Sequence, residues 1–186
     1  FKLTNKICSI VHLIEDNIPI KMSKRSGNFV SLSEIIKNVG KDVVRFMMLT
    51  RRNDQTLEFD FAKVKEKSKE NPVFYVQYAY ARCNSIIKLS NISEQKIDLG
   101  FIKLLNNPRE LNLIKLIAQW PRVLEASAKF MEPHRICFYL IELASEFHSL
   151  WNMGKDNINF KFININEESI THARVALIRS VSITIE

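Results

Sequence analysis

Lys21-Met22-Ser23-Lys24-Arg25-Ser26-Gly27 sets two lysines three positions apart among small and polar residues. Each ammonium is a compact charge on a flexible stem. Both can swing onto one polyphosphate and meet phosphoryl oxygens as charge develops on them. A basic surface loop or localisation patch is the plainer reading of such a heptamer, and composition alone favours it. A second candidate lies on residues 72–89, where Tyr75, Tyr78, Arg82 and Ser85 recur at helical spacing and share one face. Such a stripe offers planar surfaces to unstacked bases and a guanidinium to phosphate. The alternative is half-buried tyrosines that pack, with Arg82 in an ion pair. Val76, Tyr80, Cys83 and Ile87 are expected to form the apolar face beside the stripe.

The charge distribution bears on both candidates. Lys and Arg outnumber Asp and Glu by 16 to 9 in residues 1–90, and the two classes match at 11 each in residues 91–186. The net +7 therefore sits in the first half, which suggests a surface that meets an anion, with phosphate the commonest kind. A solvated lysine face is the alternative. The 46% apolar and 25% charged fractions are ordinary for a globular chain, and no apolar run approaches a membrane span. Cys8, Cys83 and Cys137 are too far apart for a zinc site or redox pair, and their odd count argues against a disulfide framework. They are expected to be small core thiols.

Several other residues read as structural. His148 shares an apolar row with Cys137, Ile141, Ala144 and Trp151, which suits a hydrogen-bonded core histidine. Trp120 and Trp151 read as packing anchors. Lys63, Lys65, Lys67 and Lys69 alternate in a helical region, so their charges spread around the axis as a solvated face. Arg174 lies with Ile178, Val181 and Ile185, where an ion pair competes with an RNA contact.

The elements that must position these residues are mostly helices. Residues 7–14 are β-prone, Glu15-Asp16-Asn17 reads as a turn, and Ile18-Pro19-Ile20 resumes an extended course, giving a short hairpin or the last strand of something larger. Ser31 and Glu34 have capping-box spacing for a helix ending at Gly40, and residues 41–50 form another. Asp60 caps a helix predicted through Glu70. Asn71-Pro72 and Asn107-Pro108 mark helix starts, and Pro121 and Pro133 suggest two more. Residues 90–107 read as an irregular connection. Ile136, Leu140, Leu143, Phe147 and Leu150 form a bundle seam ended by Gly154. An asparagine-rich loop over 155–166 leads to a last helix from Glu167.

Lys21-Met22-Ser23-Lys24 resembles the first four residues of the KMSKS signature of class I aminoacyl-tRNA synthetases. The longer run through Val30 is similar to the form found in arginyl-tRNA synthetases. The usual fifth residue, Ser, is Arg25 here, with Ser26 after it, and the role of Arg25 stays open. Gly40-Lys41-Asp42-Val43-Val44-Arg45-Phe46 resembles the stem-contact segment that follows KMSKS. The run from Asn71 to Arg82 is similar to the helix opening the arginyl family's anticodon-binding domain. Ala173-Arg174-Val175-Ala176-Leu177 resembles that domain's namesake DALR region.

The resemblance implies a mainly α protein: a helical-bundle anticodon-binding domain preceded by a short α/β remnant of the class I catalytic, Rossmann-type domain. Residues 1–30 would end the catalytic domain, 31–59 would hold the stem-contact helices and connection, and 60–186 would form the DALR-type domain. The implied activity is that of an arginine–tRNA ligase. Lys21 and Lys24 would be catalytic, and Lys21, Met22, Ser23 and Lys24 would close over ATP and its Mg2+. Tyr78, Arg82 and Tyr75 would touch tRNA. ATP, arginine and tRNA-Arg are the implied partners, in a cytoplasmic monomer away from membranes. A non-catalytic tRNA-binding module and a plain helical scaffold are the competing readings. The four histidines, His12, His134, His148 and His172, form no HIGH-type pair, and the four glycines form no phosphate loop. The amino-acid pocket, most of the ATP site, the natural start before Phe1 and a short tail after Glu186 are therefore expected to be missing. The stretch alone is expected to be inactive in adenylation.

Overall fold

The structure is a computed structural model that describes residues 3–15, 18–20, 31–66, 68, 70–93 and 97–186. It divides into two compact units, Phe1–Phe74 with Leu124–Phe138, and Tyr75–Val123 with Tyr139–Glu186. Helices dominate, beside one small sheet.

In the first unit, strands β1 (Val11–Glu15) and β2 (Ile18–Pro19) form the expected antiparallel hairpin. A third strand, β3 (Leu57–Asp60), lies on the other edge of β1 and runs parallel to it, pairing Val11 with Leu57 through Ile14 with Asp60. Parallel neighbours need a crossover. Helices α1 (Leu32–Val39) and α2 (Lys41–Leu49) lie within it. Ser31 caps α1 by accepting the Glu34 N–H at 3.1 Å, and Gly40 ends it with φ +96°, a conformation that favours glycine. Leu13, Ile35, Val43, Val44, Phe59 and Val64 are buried together in the unit's core.

Asp60 accepts from the Ala62 and Lys63 N–H groups and starts helix α3 (Phe61–Lys65), which stops short of Glu70. Asn71 explains the stop. Its Nδ2 donates to the carbonyls of Val64 and Glu66, each at 3.0 Å, and weakly to Lys63 at 3.3 Å, replacing the next helical turn. Its Oδ1 accepts the Val73 N–H and opens helix α4 (Pro72–Ser90). Of the alternating lysines, Lys63 and Lys65 lie on α3, and Lys67 and Lys69 lie outside the described residues.

Helix α5 (Pro108–Phe130) passes straight through Pro121, so no new helix starts there. Proline removes one N–H and crowds the turn before it. In that turn Tyr139 Oη donates to the Leu116 carbonyl at 2.9 Å, and the Tyr139 ring stacks on Trp120. Burial pushes the Tyr139 phenol up to about 12. Helix α6 (His134–Asp156) buries Leu143, Phe147 and Leu150 of the predicted seam. Gly154 does not end it. A Cβ there would meet the Phe160 carbonyl oxygen at 2.9 Å, so its glycine allows close approach of the following segment. The connection after α4 holds a 3-10 turn at Leu99–Leu104 that packs on helix α7 (Glu168–Ile185).

Cys83 and Cys137 are buried, whereas Cys8 is exposed, which corrects its expected place in the core. Burial pushes the Cys83 thiol up to about 12 and the Cys137 thiol to about 11. Near pH 8 both stay protonated and enclosed, while exposed Cys8 is open to attack. A disulfide reagent should therefore titrate one thiol in the native chain and three after unfolding. Rapid native labelling of a second thiol would contradict this core.

Candidate nucleic-acid interface

Helix α4 buries Val76, Ala79, Cys83 and Ile86, whose steps of 3, 4 and 3 mark the true core face. Tyr80 and Ile87, expected on that face, are only half-buried at its flanks. Ala79 takes the place that sequence reading gave to Tyr80, since a small residue lets the helix pack closely. The rotation leaves Tyr78 outward at 48% exposure, with Tyr75 and Arg82 half-buried beside it.

Three of these residues meet one histidine. His148, buried on α6, points Nε2 at the Tyr75 carbonyl oxygen, 3.3 Å away, and Nδ1 at Arg82 Nη1, 3.2 Å away. A guanidinium can only donate, so Nδ1 must accept and Nε2 must carry the proton. His148 is thus the hydrogen-bonded core histidine its surroundings suggested. Its ring also lies 4.6 Å from the Tyr75 ring and 5.7 Å from the Tyr78 ring.

Arg82 is held flat by aromatic neighbours. Nη2 donates to Tyr78 Oη at 2.7 Å, and the guanidinium carbon sits 4.0 Å from the Tyr78 ring centre and 4.9 Å from that of Trp151. Among the described residues no carboxylate pairs with Arg82, so the expected alternative of an ion pair is not what holds it. The cation is oriented but not neutralised. That arrangement can receive an anion or stack on a base.

Trp151 continues the aromatic surface, packing on Phe147 and Phe162 with ring centres 6.5 and 6.1 Å away. Its indole N–H is buried without an acceptor among the described residues. Next to it opens a hollow of about 430 Å3, with Ile86, Trp151 and Phe162 among its apolar lining and Lys155 and Lys161 adding charge. Sequence reading treated Trp151 only as an anchor. The signal available was its place three residues after His148 on one helix, which only the pairing of α4 with α6 turns into a shared surface.

Arg174 resolves as structural. Its side chain is 6% exposed, and Nε donates to Glu110 Oε1 at 2.7 Å. Nη1 donates to the Asn159 and Lys161 carbonyls at 2.8 and 2.7 Å, fixing the segment that carries Phe162. Lys21, Met22, Ser23 and Lys24 lie outside the described residues, as does Arg25. Among the described residues no group of three or more His, Cys, Asp or Glu could hold a metal ion, and no helix is long and apolar enough to cross a membrane.

With an aromatic, cationic helix face in place, comparison with known proteins becomes specific. Residues 76–186 match the family model of the DALR anticodon binding domain. The chain belongs to this family. Tyr78, Arg82, His148, Trp151 and Arg174 all fall inside the matched DALR domain, and Tyr75 lies one residue before it. Among curated relatives, the arginine–tRNA ligase of Rickettsia felis is 50% identical over 97% of this chain, and that of Rickettsia prowazekii is 51% identical over 95%. The chain spans about a third, 32%, of the length of each. A crystal structure described as an arginyl-tRNA synthetase from Campylobacter jejuni superposes with a TM-score of 0.79 at 25% identity, covering 96% of this chain and 38% of that one. The Thermus thermophilus arginyl-tRNA synthetase shares the fold, with a TM-score of 0.64 at 17% identity over 93% of this chain and 32% of that one. These likenesses bear out the expected fold class, a helical DALR domain with a small α/β portion before it.

Proposed function

We propose that this chain is the tRNA-reading part of an arginine–tRNA ligase, and that Tyr78 and Arg82, flanked by Tyr75, meet the anticodon of tRNA-Arg. The observation that carries the reading is the un-neutralised guanidinium of Arg82, clamped by Tyr78, His148 and Trp151 inside a domain whose family is anticodon-binding. A base that leaves its stack can lie on Tyr78 while Arg82 takes a phosphate or base edge. The hollow beside Trp151 gives a neighbouring nucleotide an apolar floor and two lysines.

The same reading assigns ATP, with Mg2+, and arginine as further substrates of the ligase. Lys21, Met22, Ser23 and Lys24 would close over the ATP phosphates, with Lys21 and Lys24 acting in catalysis. Residues 1–30 would belong to the catalytic domain, 31–59 to the stem-contact region and 60–186 to the anticodon-binding domain, in a cytoplasmic monomer. These assignments rest on the KMSKS-like run and the ligase relatives.

The test pairs binding with stability. Tyr78→Ala should weaken binding of tRNA-Arg about tenfold, since stacking contributes roughly 1–3 kcal/mol per base. Arg82→Ala should weaken it similarly and flatten its salt dependence. Both variants should lose discrimination between anticodons; Tyr78→Ala should melt close to the parent because Tyr78 is 48% exposed, whereas Arg82→Ala should melt somewhat lower because it strands the buried His148 Nδ1. Stable variants with unchanged affinity would remove both residues from the interface. Strongly destabilised variants would return them to packing roles.

A further inference from the structure

Arg82 spends two of its five N–H donors inside the protein, one on Tyr78 Oη and one on His148 Nδ1. The two acceptors differ in kind. Tyr78 is 48% exposed and lies on the same helix as Arg82, so its hydroxyl belongs to the surface that would meet a ligand. His148 is 6% exposed on α6, and its ring is held at both nitrogens, Nε2 against the Tyr75 carbonyl oxygen and Nδ1 against Arg82 Nη1. A backbone carbonyl only accepts. It therefore keeps the proton on Nε2 and leaves the Nδ1 lone pair for the guanidinium. The backbone of α4 thus sets the tautomer with which α6 grips a side chain two turns further along α4.

The geometry points to His148 as a positioning residue for tRNA recognition, its neutral Nδ1 holding the Arg82 guanidinium in the orientation that receives RNA. This role rests on the tRNA-binding reading of Arg82 and deepens it. The choice of side chain is informative. A carboxylate in this place would bind the guanidinium more strongly and cancel its charge. An apolar side chain would leave a long, rotamer-rich cation to be ordered by the RNA itself, at a cost of about three- to tenfold in affinity. A neutral acceptor avoids both losses, because it orients the cation in advance and leaves all of its charge available. The seat of the imidazole does not depend on the bond to Arg82, since the Tyr75 carbonyl and the rings of Tyr75 and Phe147 also hold it.

The experiment is a double-mutant cycle between His148 and Arg82, read as tRNA-Arg affinity of the 186-residue chain well below its melting temperature. His148→Gln puts an amide near the Nε2 position, where it can still donate to the Tyr75 carbonyl, and takes away the acceptor at Nδ1. His148→Asn does the reverse. His148→Gln should weaken binding about three- to tenfold, and His148→Asn should keep most of the parental affinity while melting no higher than His148→Gln. In an Arg82→Ala background neither substitution should change affinity further. Ring-nitrogen NMR shifts should show the Nε2–H form of His148 in the free parent and in its complex with tRNA-Arg, a readout that needs no variant of His148. Equal losses in His148→Gln and His148→Asn, or a His148→Gln loss that persists in Arg82→Ala, would overturn the role and leave Arg82 as an RNA contact. A complex with the proton on Nδ1 would overturn it as well. Parental affinity in Arg82→Ala would refute the tRNA reading of Arg82, and this role with it.

Discussion

Arg174→Ala should be the most destabilising single substitution of a charged residue in the DALR domain. Arg174 and Glu110 are 6% and 2% exposed at the side chain and meet at 2.7 Å, so truncating one strands the other without water. Breaking such a pair on one side costs about 3–5 kcal/mol. Glu110 has a second duty, accepting the Asn107 N–H at 3.3 Å while Asn107 caps α5 through the Arg109 N–H. The loss would thus spread from α7 to the start of α5, and would also free the Asn159 and Lys161 carbonyls. For a chain of this size the expected drop in melting temperature is about 10 °C or more. Arg174→Lys should recover only part of it, because an ammonium cannot reproduce the planar fork that reaches Glu110 and two carbonyls together. If Arg174→Ala melts with the parent, the pair is not holding the helices and Arg174 becomes available again as an RNA contact.

That outcome also explains what could be read before the structure. The rule that placed Arg174 on a face with Ile178 and Val181 is helical periodicity, and both apolar neighbours are fully buried. Periodicity says that a charge is buried but not who meets it. Glu110 is 64 residues away, and nothing local in the chain announces the pairing. The same limit governs β3. The hairpin of β1 and β2 is local and its turn residues betray it, whereas Leu57–Asp60 becomes a strand only because β1 offers it an edge.

The α-helix starts at Ser31, Asp60 and Asn71 were legible because a side chain makes the cap, whereas the short 3-10 turns capped by Asp98 and Asn157 were not. Ends were less so. Gly154 looked like a terminator and is a contact glycine, and Pro121 looked like a start and is an interruption that tertiary packing carries. At the interface, the stripe of Tyr75, Tyr78 and Arg82 was visible because it lies on one helix. His148 and Trp151 complete it from another, so their share in orienting Arg82 needed the fold.

The largest expected effect belongs to Lys24. If this segment belongs to an arginine–tRNA ligase as proposed, Lys24→Ala in that ligase should slow arginyl-adenylate formation by about 100- to 1000-fold, the usual loss when one donor to a developing charge is removed. The negative charge on the phosphates shifts toward the leaving pyrophosphate as the bond breaks. A lysine that meets those oxygens mainly at that moment contributes to the transition state and little to the ground state. The rate should therefore fall far more than ATP affinity, and binding of tRNA-Arg should hardly change. Lys24→Arg tests geometry against charge. The guanidinium keeps the charge but spreads it over a planar fork, so partial activity is expected rather than recovery. Single-turnover adenylation separates these terms from product release. Near-normal turnover in Lys24→Ala would show that the KMSKS-like run is only a basic loop, and would leave the anticodon face standing on its own evidence.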